Sequence, residues 1–257
     1  LEACSRPQDN LPDAFPGNLY VTPDASMSLG SSNIHYLLPG KGVYVDGYLT
    51  ANGSQFLPAI EGWLGVHARS DATVVLNNCV LDGGPAVSGS LATLNLSGTR
   101  IQNVNHALLS FGGNIASSHT VAPNCRIGYA SVLGPVTKLQ GDSAVSIASP
   151  PPGSLGVDVR DGAGYVNLFH SDILGFSKGL RTEGTIVSSD NPNNILEGGN
   201  RITALDTVLH SVDGWIEFGR SVGGYGANNC FTLVNYTTGQ HVVSPGAWTW
   251  AKGNYWK

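Results

Sequence analysis

The run Val157-Asp158-Val159-Arg160-Asp161-Gly162 places a carboxylate and a guanidinium two residues apart. In an extended strand alternate side chains share a side, so Asp158 and Arg160 face one way and Val157 and Val159 the other. His170 and Asp172 follow, then Lys178, Arg181 and Glu183. Two carboxylates near an arginine can have their pKa values pushed apart, which is the requirement for an acid–base pair. On that reading Asp158, Arg160 and Asp172 are candidate catalytic residues. The competing reading, which the residue types alone favour, is a solvated charge pair worth about 0–1 kcal/mol.

A second kind of chemistry is sugar or partner binding by exposed aromatic rings. Trp215 and Glu217 would share the face opposite Ile216 and Phe218, with Arg220 close behind. The tail carries Trp248, Trp250, Tyr255 and Trp256 within nine residues. These rings suit either a cap over an apolar core or a contact surface. Trp63, His67, Arg69 and Asp71 form a further group, for which a ring plugging a loop is the simpler account. The seven histidines show no local ligand spacing. No metal site is expected.

Side chains so scattered need a scaffold to bring them together. The chain has 257 residues, 41% of them hydrophobic and only 12% charged, with 34 Gly and 14 Pro. That content is too apolar for a disordered chain. The net charge of −5 gives no footprint for nucleic acid. No apolar run of about 18 residues is present, so no membrane-spanning helix is expected. The start, Leu1-Glu2-Ala3-Cys4-Ser5, bears a faint likeness to a lipoprotein signal, but Glu2 fits poorly and an ordinary mature start is favoured. Helical signals are scarce, the best being short pieces near Ser54–Trp63 and Asn105–Ser110.

From Gly42 onward, short Val/Ile/Leu/Tyr runs recur, each closed by Gly, Asn, Asp or Pro. Stacking them reveals a repeat. Copies are Val75–Leu81, Asn95–Ile101, Val121–Ile127, Asn167–Ile173 and Ile195–Ile202. A leucine (Leu76, Leu96, Leu168) is followed three residues later by a small residue (Cys79, Thr99, Ser171). Val121–Ile127 has Ala122 and Cys125 at those places, and an intervening copy is expected near Leu139–Ile147. The period of about 20–28 residues is that of a β-solenoid coil, which buries its apolar face only by stacking on its neighbours. Leu76, Leu96, Leu168 and Leu196 should then pile along one axis. Cys79 and Cys125 would stand two coils, about 10 Å, apart, beyond the roughly 7 Å reach of a disulfide.

The repeat, together with the ending Gly253-Asn254-Tyr255-Trp256, resembles the right-handed parallel β-helix, or pectin-lyase-like, superfamily. The resemblance implies an all-β right-handed parallel β-helix over 42–243, with an irregular N-terminal cap over 1–41 and an aromatic C-terminal tail over 244–257. A β-sandwich or jelly roll is the alternative. The family contains polysaccharide-cleaving enzymes and non-catalytic adhesins, envelope proteins and spike segments. Its hydrolase motifs (Asp-Asp, Gly-His-Gly, Arg-x-Lys) are missing here. The reading preferred is therefore a non-catalytic secreted or cell-envelope module that is structural, adhesive or assembling. A polysaccharide lyase or glycoside hydrolase working in a lateral groove is the alternative. Binding would fall to Trp215, Glu217, Arg220, Trp248, Trp250 and Trp256, with a glycan or another envelope protein as partner. No cofactor is expected, and calcium, which lyase-type relatives use, has no motif.

Overall fold

The computed structural model describes residues 14–15, 17–30, 34–59, 62–84, 87–133, 137–161, 165–187, 198–218, 228–245, 247–251 and 254–257. Every regular element among them is a β-strand, and all strand pairings are parallel. One sheet has ten strands and the other eighteen. The ten-stranded sheet forms a first face, running from Ser26–Leu29 through Thr73–Asn77 to Trp248–Trp250. The larger sheet supplies a second and a third face. Long strands such as Val121–Val132, Asp172–Thr182 and Arg201–Ser211 take part in both. Each strand pairs with its equivalent one coil later, as a parallel β-solenoid requires.

The register follows from alternation. In Thr73–Asn77, Val74 and Leu76 point inward while Thr73, Val75 and Asn77 point outward. A one-residue slip would turn both apolar side chains to water, so the pairing is strongly specified. Leu76 faces Leu96, then Ser117, Leu139 and Leu168 in successive coils. The expected leucine column is therefore present over Leu76, Leu96 and Leu168, and the missing copy is at Leu139. Leu196 lies outside the described residues. The third copy is corrected: Ser117, not Ala122, occupies the column, and Ala122 lies on the second face opposite Ala144. A serine in place of leucine hid the true alignment.

Two other expectations change. The segments read as helical, Ser54–Trp63 and Asn105–Ser110, hold the strands Gln55–Pro58 and Val104–Phe111. Phe56 stacks against Leu81 and Leu108 against Tyr129, so tertiary pairing overrides local preference. Within 1–41, Leu19–Val21, Ser26–Leu29 and Ile34–Leu37 pair in parallel with Val43–Val45, Tyr48–Asn52 and Gln55–Pro58. At the other end, Trp248–Trp250 pairs with Trp215–Glu217, and Tyr255–Trp256 with Cys230–Leu233. Cys79, Cys125 and Cys230 are free thiols. Cys4 lies outside the described residues.

The bend between the first and second faces is built by one repeated device. Gly53, Asn78, Gly98, His119, Gly141, His170, Gly199 and Asn228 all have positive φ. Glycine and asparagine tolerate that conformation best. At Gly199 a Cβ would also come within 2.9 Å of the His170 ring. The next residue in each coil points inward: Ser54, Cys79, Thr99, Thr120, Asp142, Ser171, Asn200 and Asn229. These residues form a polar ladder inside an otherwise apolar core. Backbone N–H groups donate from Cys79 to Thr99 Oγ1, Asp142 to Ser171 Oγ, Ser171 to Asn200 Oδ1 and Asn200 to Asn229 Oδ1, at 3.0–3.4 Å. Thr99 Oγ1, Ser171 Oγ and Asn200 Nδ2 donate in turn to the carbonyls of Leu76, Leu139 and Leu168. Buried polar groups persist only when so partnered.

Candidate functional site

The third face carries the predicted charge group. Asp158 projects from Leu155–Arg160, opposite Arg181 of the next coil, which is itself opposite His210. The Asp158 carboxylate is fully buried beneath its partners. Arg160 Nε donates to Oδ2 at 2.7 Å and Arg181 Nη1 to Oδ1 at 2.9 Å. Arg181 also pairs with Glu183. Glu183 Oε2 accepts the Asp161 N–H at 3.2 Å. That N–H, with Arg181, holds the Glu183 carboxyl below its ordinary pKa. Burial opposes the Arg181 charge, but Asp158 and Glu183 outweigh it and raise its pKa.

The flanking histidines are held toward the neutral form. Burial and the charges of Arg160 and Arg126 lower the pKa of His106. Burial, Lys178 and Arg181 lower that of His210, whose Nδ1 lies 3.0 Å from Lys178 Nζ. Asp172 does not join this group. It sits on the second face and forms a two-point ion pair with Arg201, at 3.1 and 2.6 Å. Asp158, Arg160 and Asp172 are thus not assembled into one constellation. Both oxygens of Asp158 are engaged by guanidinium groups, which the carboxylate holds in place.

The same network borders a groove at the bend between the third and first faces. The groove has a volume of about 710 Å³ and is lined by Asp161, Glu183, Asp213, Trp215 and Trp248, among others. Trp215 and Trp248 occupy the same register position in adjacent coils. They remain 39% and 65% exposed, so both indoles reach solvent. Small residues explain the access. Gly184, Gly214 and Ala247 form the floor, and a Cβ at Gly214 would collide with the Gly184 carbonyl. Glu217, on the same strand as Trp215, is buried and belongs beneath the surface. Arg220 lies outside the described residues, as does the setting of the Trp250 side chain. Trp256 is 40% exposed but packs against Phe231 of the second face with the rings tilted by 41°, away from the groove.

The other ring group divides. Trp63 is buried, its Nε1 donating to the Asp82 carbonyl at 2.8 Å, so it plugs a loop. His67 continues a stack formed by Tyr20 and Tyr44, while Arg69 pairs with Asp46. A depression of about 530 Å³ on the first face, around Asn77, Leu96, Lys138, Gln140 and Phe169, lacks an indole pair. Among the described residues no cluster of three or more His, Cys, Asp or Glu is placed to hold a metal, and no helix is long and apolar enough to cross a membrane. Sequence reading did not link Trp215 to Trp248 or either to Glu183. The 33-residue separation of the tryptophans exceeds the usual coil length, and only the pairing register brings them together. Comparison of the chain with protein-family models, with curated proteins and with solved structures finds no match.

Proposed function

We propose that the chain is a non-catalytic, extracytoplasmic right-handed β-helix of pectin-lyase-like type that holds a glycan along the groove at Trp215 and Trp248. One observation carries this reading: two exposed indoles in register on adjacent coils, beside the ionised Glu183 and the exposed Asp161 and Asp213. Indole faces cover the apolar faces of pyranose rings, and flanking carboxylates accept hydroxyl hydrogen bonds. Adjacent rungs lie about 4.8 Å apart, close to the spacing of successive sugars in a chain laid along the axis.

The lyase or hydrolase alternative has less support. Its three candidate residues sit in two separate networks, and Asp158 is saturated by Arg160 and Arg181. The test is binding and turnover together. Immobilised neutral, acidic and amino glycans should retain the protein and quench its indole fluorescence, and Trp248→Ala should reduce that affinity at least tenfold. Release of reducing ends or unsaturated products, abolished in Arg160→Ala, would replace this reading with the enzymatic one. Failure to bind any glycan, with co-purification of an envelope protein dependent on Trp248, would replace the ligand.

A further inference from the structure

We propose that Asp142 is a neutral carboxylic acid inside the solenoid, standing where other coils use asparagine, serine or threonine, and that its ionisation loosens the central coils. Asp142 is 1% exposed and occupies a ladder position. Its Oδ1 accepts the Thr120 N–H at 2.7 Å, as Asn200 Oδ1 accepts that of Ser171. The second oxygen differs from its equivalents. Asn200 Nδ2, Ser171 Oγ and Thr99 Oγ1 are donors, each to the carbonyl of the leucine-column residue one coil back. For Asp142 the corresponding residue is Ser117. The Ser117 hydroxyl lies close to the carboxyl, yet neither its Oγ nor Asp142 Oδ2 completes a hydrogen bond. An ionised carboxylate has only acceptors, so it cannot fill a donor position; a protonated one can.

Among the described residues nothing cationic offsets a charge there. Burial is the dominant influence on the carboxyl and outweighs the Thr120 and Gln140 backbones and Ser117, which favour its charged form. Tyr129 feels the Asp142 carboxyl and has Cys125 beside it, and burial pushes the pKa values of both up, so both are neutral. In the next coil Ser171 accepts the Asp142 N–H, and the Asp172 carboxylate is turned outward to Arg201. His119 lies on the exposed side against Gly141. The hydroxyl of Thr120, the ladder residue one coil back, also lacks a partner. Consistent with this placement, burial raises the Asp142 pKa from 3.8 to about 7.

The direction of the pH effect follows. A raised folded pKa gives a contribution that is complete below the unfolded value near 3.8 and lost as pH rises to about 7. The test compares the full chain with Asp142→Asn by denaturant unfolding from pH 4 to 8. Across the interval between the two pKa values, the unfolding equilibrium constant of the parent should rise about tenfold per pH unit relative to Asp142→Asn, then level off. Parallel stability curves for the two proteins would overturn the proposal. Infrared spectra of the parent labelled with 13C-aspartate decide independently of how the variant folds. A protonated carbonyl band that survives to pH 6 and disappears by pH 8 is expected, and a fully ionised aspartate set at pH 6 would overturn the proposal.

Discussion

Two bends of the same solenoid use similar backbone geometry for opposite purposes. Between the first and second faces, positive-φ residues such as Asn78, Gly98 and His170 turn the following side chain inward. Between the third and first faces, Asp71, Leu91, Gly112, Leu133 and Asp161 also have positive φ. There the charged and aromatic side chains stand outward, over a floor of Gly184 and Gly214. The inner bend spends its polar groups on hydrogen bonds between coils. The outer bend leaves carboxylates and indoles open to solvent. The lesson is that one turn type turns the next residue inward at both bends: at the outer bend Ala72, Ala92 and Gly113 are small and buried without a side-chain hydrogen-bonding group, whereas at the inner bend the equivalent residues bond from coil to coil.

The sharpest break of this contrast is Asn200→Leu. Asn200 Oδ1 accepts from Ser171, and Nδ2 donates to Leu168 and Asn229. Its loss strands buried groups, each costing about 1–3 kcal/mol, so denaturant unfolding should show a loss of at least about 3 kcal/mol. Asp158→Ala comes next, at about 1–2 kcal/mol. It breaks a buried carboxylate's two ion pairs, but Arg160 and Arg181 retain access to water and recover part of the cost. The two bends should also answer pH in opposite senses. Glu183, whose pKa is lowered, contributes above its ordinary value near 4.5 and loses that contribution as pH falls through the lower folded value. Glu183→Gln should therefore flatten the acid limb of the stability profile, while Asp142→Asn flattens the rise in unfolding between about pH 4 and 7. The smallest stability effects, within about 0.5 kcal/mol, belong to Thr120→Val, which removes a hydroxyl without a partner, and to Trp248→Ala on the outer surface. Trp248→Ala sharpens the comparison most cleanly, because ligand retention should fall while the unfolding midpoint stays fixed.

Much of the inner bend was legible in the chain itself. Leu76, Leu96 and Leu168, with Cys79, Thr99 and Ser171 three residues on, repeat at coil spacing, and both columns are present. The alignment failed at one coil, where Ser117 replaces leucine and Thr120, rather than Cys125, carries the ladder. The first coils escaped notice because Pro23, Pro39 and short strands conceal their period. The outer bend was only half readable. Adjacent partners on one strand, Asp158 with Arg160, follow from alternation. Contacts between coils, such as Trp215 beside Trp248 or Asp172 with Arg201, depend on loop lengths that vary from coil to coil. Sequence spacing does not encode that variation.

The ladder has a further consequence for how such a molecule changes length. Each rung bonds only to the rung before and the rung after, and the equivalent residues Thr99 and Thr120 are 21 positions apart. Excising residues 99–119 joins Gly98 directly to Thr120 and returns every later strand to an equivalent neighbour. The rod would be shorter by one rung, about 4.8 Å, with its outer groove untouched. Extent along the axis is thus a modular quantity, editable in whole turns independently of the shape of the far end.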